Sequence, residues 1–188
     1  MSGEFISVYD PTNGTLLSDK IHVAGEVDVD TAVDAAQRAF KTTWGRMDPT
    51  DRAKAMFKFA DLMREKADEI GVLETRAMGS AITTQSRAWA QSADLFTYYA
   101  GLADKILGET SYPTSAGKYK IVQKEPIGVC AGIGAWNVSA ILFAWKVAVR
   151  LCLDIKSVVD EIVSTDYVHS PPWLSEIHQC TSHPKSLH

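Results

Sequence analysis

The sequence predicts an α/β chain, a helical region followed by the opening strand–helix unit of a doubly wound sheet. Three observations predict it. Apolar residues recur at helical spacing across residues 29–107. Residues 118–123 alternate with period two, as a half-exposed strand does. Residues 127–133 are apolar on both faces, and a glycine-bearing turn and an amphipathic stretch follow them.

Asp10-Pro11-Thr12-Asn13-Gly14 is turn chemistry, because Pro presets φ and Asn-Gly supplies positive φ. A strand over 15–23 leaves that turn. Val29, Ala32, Val33, Ala36 and Phe40 mark the apolar stripe of a first helix, with Asp28 as its expected N-cap. Asp48-Pro49-Thr50 opens a second, with Ala53, Met56, Phe57, Ala60, Met63 and Ala67 on one side. A third segment over 68–78 carries Ile70, Leu73 and Ala77 and stops at Gly79. A longer helix over 84–107 carries Trp89, Ala93, Phe96, Ala100 and Ala103.

Glu125-Pro126 separates the strand over 118–123 from the next. The run 127–133 reads as a strand buried on both faces in a parallel sheet. Ala135-Trp136-Asn137 is its C-terminal turn, and 139–151 a helix. Beyond Leu151, a helical period persists at Ile155, Val158, Val159 and Ile162, and 164–188 have no clear period. All 12 glycines lie at or before Gly134. Strand–helix turns normally use glycine, so the parallel sheet is not expected to continue.

A chain of 188 residues, 46% apolar and 22% charged, is long enough for a globular core. A net charge of −4 gives no electrostatic case for nucleic acid or an anionic membrane surface. No run approaches the ~18 apolar residues of a membrane span. Met1-Ser2-Gly3-Glu4 lacks the basic opening of a secretory signal. Cys130, Cys152 and Cys180 are an odd, sparse set, which argues for a reducing compartment and a cytoplasmic location. His178, Cys180 and His183 match no zinc spacing, so no metal is expected.

Residues 125–137, Glu-Pro-Ile-Gly-Val-Cys-Ala-Gly-Ile-Gly-Ala-Trp-Asn, followed by Ala144-Trp145-Lys146-Val147-Ala148, resemble the aldehyde dehydrogenase superfamily's strand, Trp-Asn turn and helix. The step from Asn137 to Trp145 is the family's own spacing. Residues 32–40 and 98–103 are also similar to family segments. The wording of 132–137 leans toward the betaine aldehyde and trimethylaminobutyraldehyde branch. The resemblance covers about residues 5–151. It implies an N-terminal region of strands and helices (1–117), a bridging-type strand (118–124), the start of a dinucleotide-binding domain (125–151) and an atypical tail without family match (152–188).

That resemblance implies NAD(P)+-dependent oxidation of an aldehyde to a carboxylic acid. Such an enzyme attacks its substrate with a cysteine thiolate and makes an oxyanion, which an amide N–H stabilises. Asn137 takes the oxyanion-donor role by resemblance; its bland alternative is a helix cap. Ile133, Gly134 and Trp136 match positions beside the cofactor. Val138, Ile141, Leu142 and Trp145 share a helix face that lines the family's aldehyde tunnel, unless that face is ordinary core. Lys146 matches a lysine near the catalytic centre, with a solvated base as the alternative. Val138-Ser139 stands where the family usually carries an aromatic residue and Pro. Pro preorganises a helix's first position, so its loss is expected to loosen this turn.

The family's nucleophile lies in a Gly-Gln-x-Cys-like context and its base in Glu-Leu-Gly-Gly, and neither string occurs here. Cys130 is expected to be buried in a strand and inert, Cys152 lies on an apolar helix, and Cys180 is in the tail. The Gly-x-x-x-x-Gly cofactor loop and the Lys-Pro strand are also missing. The expectation is therefore a truncated, inactive, aldehyde dehydrogenase-like chain that does not bind NAD(P) alone. Its tail after Leu151 reads like another frame or a retained intron. Two other readings stand beside it: a non-catalytic partner of a full-length homologue, pairing through the strand at 118–123, and a disrupted-gene product without function.

Overall fold

The computed structural model describes residues 3–111, 117–118, 120–153 and 157–158. It is α/β, with three two-stranded ladders and no closed sheet among the described residues. Strands β1 (Phe5–Tyr9) and β2 (Leu16–His22) pair antiparallel. The expected turn joins them. The Asp10 carbonyl accepts from the Gly14 N–H at 2.7 Å, and Gly14 has φ +72°.

Helix α1 (Glu26–Thr42) begins two residues earlier than Asp28, and its N-cap is Gly25. Asp28 lies in the first turn, and its carboxylate accepts from the Gly25 N–H at 3.0 Å. The acid reaches back rather than forward, as the second arm of a capping box does.

The expected second and third helices are one, α2 (Pro49–Met78). Asp48 caps it, accepting from the Thr50 N–H at 2.8 Å, and Gly79 ends it in the left-handed conformation at φ +82°. No breaker separates 67 from 68. Met56, Ala60, Met63, Ala67, Ile70 and Glu74 alternate steps of four and three on one buried face. Phe57 and Leu73, expected on that face, are exposed. Phe59 packs on the core instead, edge-on to Phe96 with ring centroids 4.7 Å apart.

Helix α3 (Ile82–Ala100) returns antiparallel and ends at Ala100, short of the expected Leu107. Trp89, Ala93, Phe96, Ala100 and Ala103 are all buried, as their spacing predicts. The two helices touch where Gly71 meets Ser86. A Cβ on Gly71 would lie 2.6 Å from the Ser86 Oγ, so only glycine permits this approach. At the corner, the Pro11 side chain would stand 2.7 Å from a Cβ on Gly79, which docks the β1–β2 turn onto the end of α2.

Strand β3 (Glu109–Ser111), unforeseen in the sequence, pairs antiparallel with β4 (Lys120–Val122). Strand β5 is only Cys130–Ala131. It pairs parallel with β6 (Ser157–Val158), across the crossover helix α4 (Ser139–Cys152). Two expectations are corrected here. Val158 belongs to a parallel strand rather than a helix, so the parallel pairing does continue past Leu151. The run 127–133 is not buried on both faces. Gly128 and Gly132 are buried, but Ile127 is 85% and Ile133 65% exposed. The apolar pattern records a surface built for cover, and the described residues do not supply it. Ile155, Val159 and Ile162 lie outside the described residues.

The core lies where α2, α3 and α4 meet, and α4 contributes Ala140, Ala144, Val147, Ala148 and Cys152. Small residues predominate in this contribution, so the helix axis can approach closely.

Candidate functional site

The turn between β5 and α4 gathers the residues singled out in the sequence. After Ala131 the chain passes through Gly132, which is buried against α4. A Cβ there would meet the Arg150 guanidinium at 3.4 Å and the Lys146 side chain at 3.6 Å. Lys146 is half-buried along that glycine, and its carbonyl accepts from the Arg150 Nη1 at 2.6 Å. It is neither a freely solvated base nor in contact with Asn137 in any hydrogen bond among the described residues.

Asn137 sits in a single 3₁₀ turn, Trp136–Val138, and is exposed. The N-cap of α4 is Val138, which makes no side-chain cap. The bland reading of Asn137 as the helix cap therefore does not hold. Among the described residues its amide makes no side-chain hydrogen bond.

Helix α4 carries two apolar faces. Ala140, Ala144, Val147 and Ala148 face the core. Val138, Ile141, Leu142 and Trp145 form a second stripe, rotated from the first at about 100° per residue. Ile141 packs on the core's border, Val138 and Leu142 are half-buried, and Trp145 is 57% exposed. Core packing therefore accounts for Ile141 alone.

Ile133, Gly134 and Trp136 are exposed at the same end of β5. A Cβ on Gly134 would meet nothing within 4 Å, so its backbone is open to a neighbour.

The Cys152 thiol is not poised for catalysis. Cys152 is fully buried at the end of α4, and burial pushes its pKa up, opposed in part by the Arg52 charge. A raised thiol pKa means little thiolate at neutral pH, hence little nucleophile. Cys130 is half-buried rather than fully buried as its mid-strand position suggested. Cys180, His178 and His183 lie outside the described residues. No cluster of His, Cys, Asp and Glu that could hold a metal occurs among the described residues, and no helix there is long and apolar enough to cross a membrane.

One residue that sequence reasoning missed supports the turn. Glu74 of α2 is buried, accepts from the Trp89 Nε1 at 2.8 Å, and accepts from the Ser139 hydroxyl at the start of α4. The signal was present: Glu74 continues an apolar stripe, where an acid needs partners.

A profile described as the aldehyde dehydrogenase family matches residues 1–159. The chain belongs to the aldehyde dehydrogenase family. The match runs past Leu151 and takes in β6. An aldehyde dehydrogenase of Emericella nidulans is 35% identical over 147 residues, which are 78% of this chain and 29% of that protein. A putative aldehyde dehydrogenase of Burkholderia cenocepacia has 32% identity and a TM-score of 0.76, over 82% of this chain and 31% of its own. PnpE, solved in complex with nicotinamide adenine dinucleotide, has 35% identity and a TM-score of 0.76, over 84% and 32%. The chain thus spans about a third of the length of the relatives it matches, and its α/β architecture is an incomplete aldehyde dehydrogenase-like fold.

The end of β5 offers an open backbone at Gly134. The helix that follows starts Trp136-Asn137-Val138-Ser139, with no glycine loop to bring its N–H groups onto a pyrophosphate.

Proposed function

We propose that this chain is the N-terminal portion of an NAD(P)+-dependent aldehyde-oxidising fold, and that alone it neither binds the cofactor tightly nor turns over. The observation that carries this reading is the exposed Asn137 turn at the end of β5, beside the open Gly134 and the outward face of α4. In this reading Asn137 donates its amide N–H to the oxyanion of an aldehyde adduct. Val138, Ile141, Leu142 and Trp145 wall the aldehyde's path, Ile133, Gly134 and Trp136 border the cofactor, and Lys146 backs the turn through Gly132. A bound NAD(P)+ would accept the hydride. The nucleophile and base lie in segments that these 188 residues do not contain. Removing a nucleophile removes a covalent route outright. The substrate class we favour is a betaine aldehyde or trimethylaminobutyraldehyde type, on the wording of 132–137, and the compartment a reducing cytoplasm, on the free thiols of Cys130 and Cys152.

One observation favours a second role. Ile127 ahead of β5, Ile133 and Trp136 after it, and Trp145 on α4 are large apolar residues left exposed along the strand–helix unit. A homologous polypeptide carrying the rest of the fold is the occupant that fits, which makes the chain a non-catalytic partner; without such a partner it is a product with no function. Mixing the chain with a homologous polypeptide that carries the family's cysteine and glutamate, and following NADH with an aldehyde substrate, tests both. The expected result is no turnover and no calorimetric NAD+ binding by the chain alone, and turnover sensitive to Asn137→Ala in the mixture. Turnover by the chain alone, lost on Cys152→Ser, would overturn the proposal.

A further inference from the structure

Glu74 stands on α2, yet its two carboxyl oxygens serve other helices. One accepts from the indole N–H of Trp89 on α3 at 2.8 Å; the other accepts from the hydroxyl of Ser139, the first residue of α4. Glu74 is 6% exposed. Each oxygen accepts one of these bonds, and burial makes each of them costly to lose. The start of α4 needs such a partner. Its N-cap, Val138, offers no side-chain acceptor, and Asn137 lies one residue before it. An acceptor oxygen at a helix N-terminus is also favoured by the aligned peptide dipoles.

We propose that Glu74 is a positioning residue, a cap supplied from another helix, which through Ser139 fixes the start of α4 and so the placement of Asn137. The bearing of this on catalysis rests on the reading of Asn137 as oxyanion donor; the positioning itself does not. The turn expected to be loosened without Pro at position 139 is held by the Ser139 hydroxyl. Pro would order the turn through its own ring. Ser orders it by reaching Glu74.

Backbone amide exchange of the full chain tests this without any activity readout. Ser139→Ala is expected to raise exchange at residues 137–140 about tenfold or more, with α2 and α3 amides unchanged. Glu74→Gln retains an acceptor for the indole and a donor for the Ser139 oxygen, and is expected to rescue most of the order that Glu74→Ala loses. In the Ser139→Pro background, Glu74→Ala is expected to leave the turn's exchange unchanged, a decoupling that a merely structural glutamate would not show. If Glu74→Ala fails to fold, Ser139→Ala alone decides. Unchanged exchange at 137–140 in Ser139→Ala overturns the proposal, as does an equal effect of Glu74→Ala in the Ser139 and Ser139→Pro backgrounds. In the complemented mixture, a loosened turn with unchanged turnover would sink the Asn137 reading and leave the cap standing.

Discussion

Phe96 on α3 is fully buried, whereas Ile127, just ahead of β5, is 85% exposed. Both are large apolar residues in strongly patterned segments. The helical region supplies its own cover: α2, α3 and α4 turn their stripes on one another, and Phe59, Phe96 and Phe143 meet at their centre. The strand region does not. Ile127, Ile133, Trp136 and Trp145 carry a core's composition on a surface. Burial of each such side chain is worth roughly 1.5–3 kcal/mol, and a domain's whole stability is only about 5–15 kcal/mol. The difference teaches that an apolar pattern reports a demand for burial, and that a chain can meet it in one region and leave it open in another.

The most damaging way to probe that contrast is Phe96→Ala, expected to cost about 3–5 kcal/mol and to abolish the cooperative helical transition in a urea melt. Ile127→Thr with Ile133→Thr should stay within about 0.5 kcal/mol of the parent while reducing self-association measured by light scattering. A double variant as costly as the core change would show that the strand surface is covered after all.

Much of the helical half was legible from single residues. Asp48-Pro49 and Gly79 mark the ends of α2 because capping and the left-handed conformation are local properties. The stripe from Trp89 to Ala103 is buried throughout. What failed was non-local. The break expected at 68 came from grouping stripes that in fact run on through Ile70 to Glu74. Strand β3 is three residues long and owes its existence to its partner β4. At the candidate site, the turn and its helix were legible from the matched wording of 125–148, whereas the contact of Ser139 with Glu74 joins positions far apart in the chain and has no short-range signature.

Thiol chemistry sharpens the comparison further. Cys152 in the helical core should react more slowly with a disulfide probe than Cys130 in the strand region, because the first is buried and the second half-exposed. Its folded pKa is raised, so the folded state holds its proton longer than the unfolded one. That contribution is intact below the unfolded thiol's pKa and is lost as pH rises through the folded value. Alkaline melts should thus destabilise the parent more than Cys152→Ala, relative to each at neutral pH. The smallest effect is expected at Asp48. Its carboxylate pKa is lowered by the hydrogen bond from the Thr50 N–H. The stabilisation is present above the unfolded carboxylate's pKa and fades as pH falls through the folded one. Asp48→Ala should lower Tm slightly at neutral pH and by less in acid.

The close approach of Gly71 to Ser86 has a consequence for the order of assembly. The contacts of α2 with α3 join residues near one another in sequence across Gly79-Ser80-Ala81, so their loop closes at little entropic cost. On a ribosome, this hairpin emerges before residue 127 does, and its inner face is closed when the strand arrives. Folding-rate measurements should accordingly give φ-values higher at Ala60 and Ala93 than at Val129. The region that would meet cofactor and substrate then orders after the hairpin, together with α4, whose buried face completes the core.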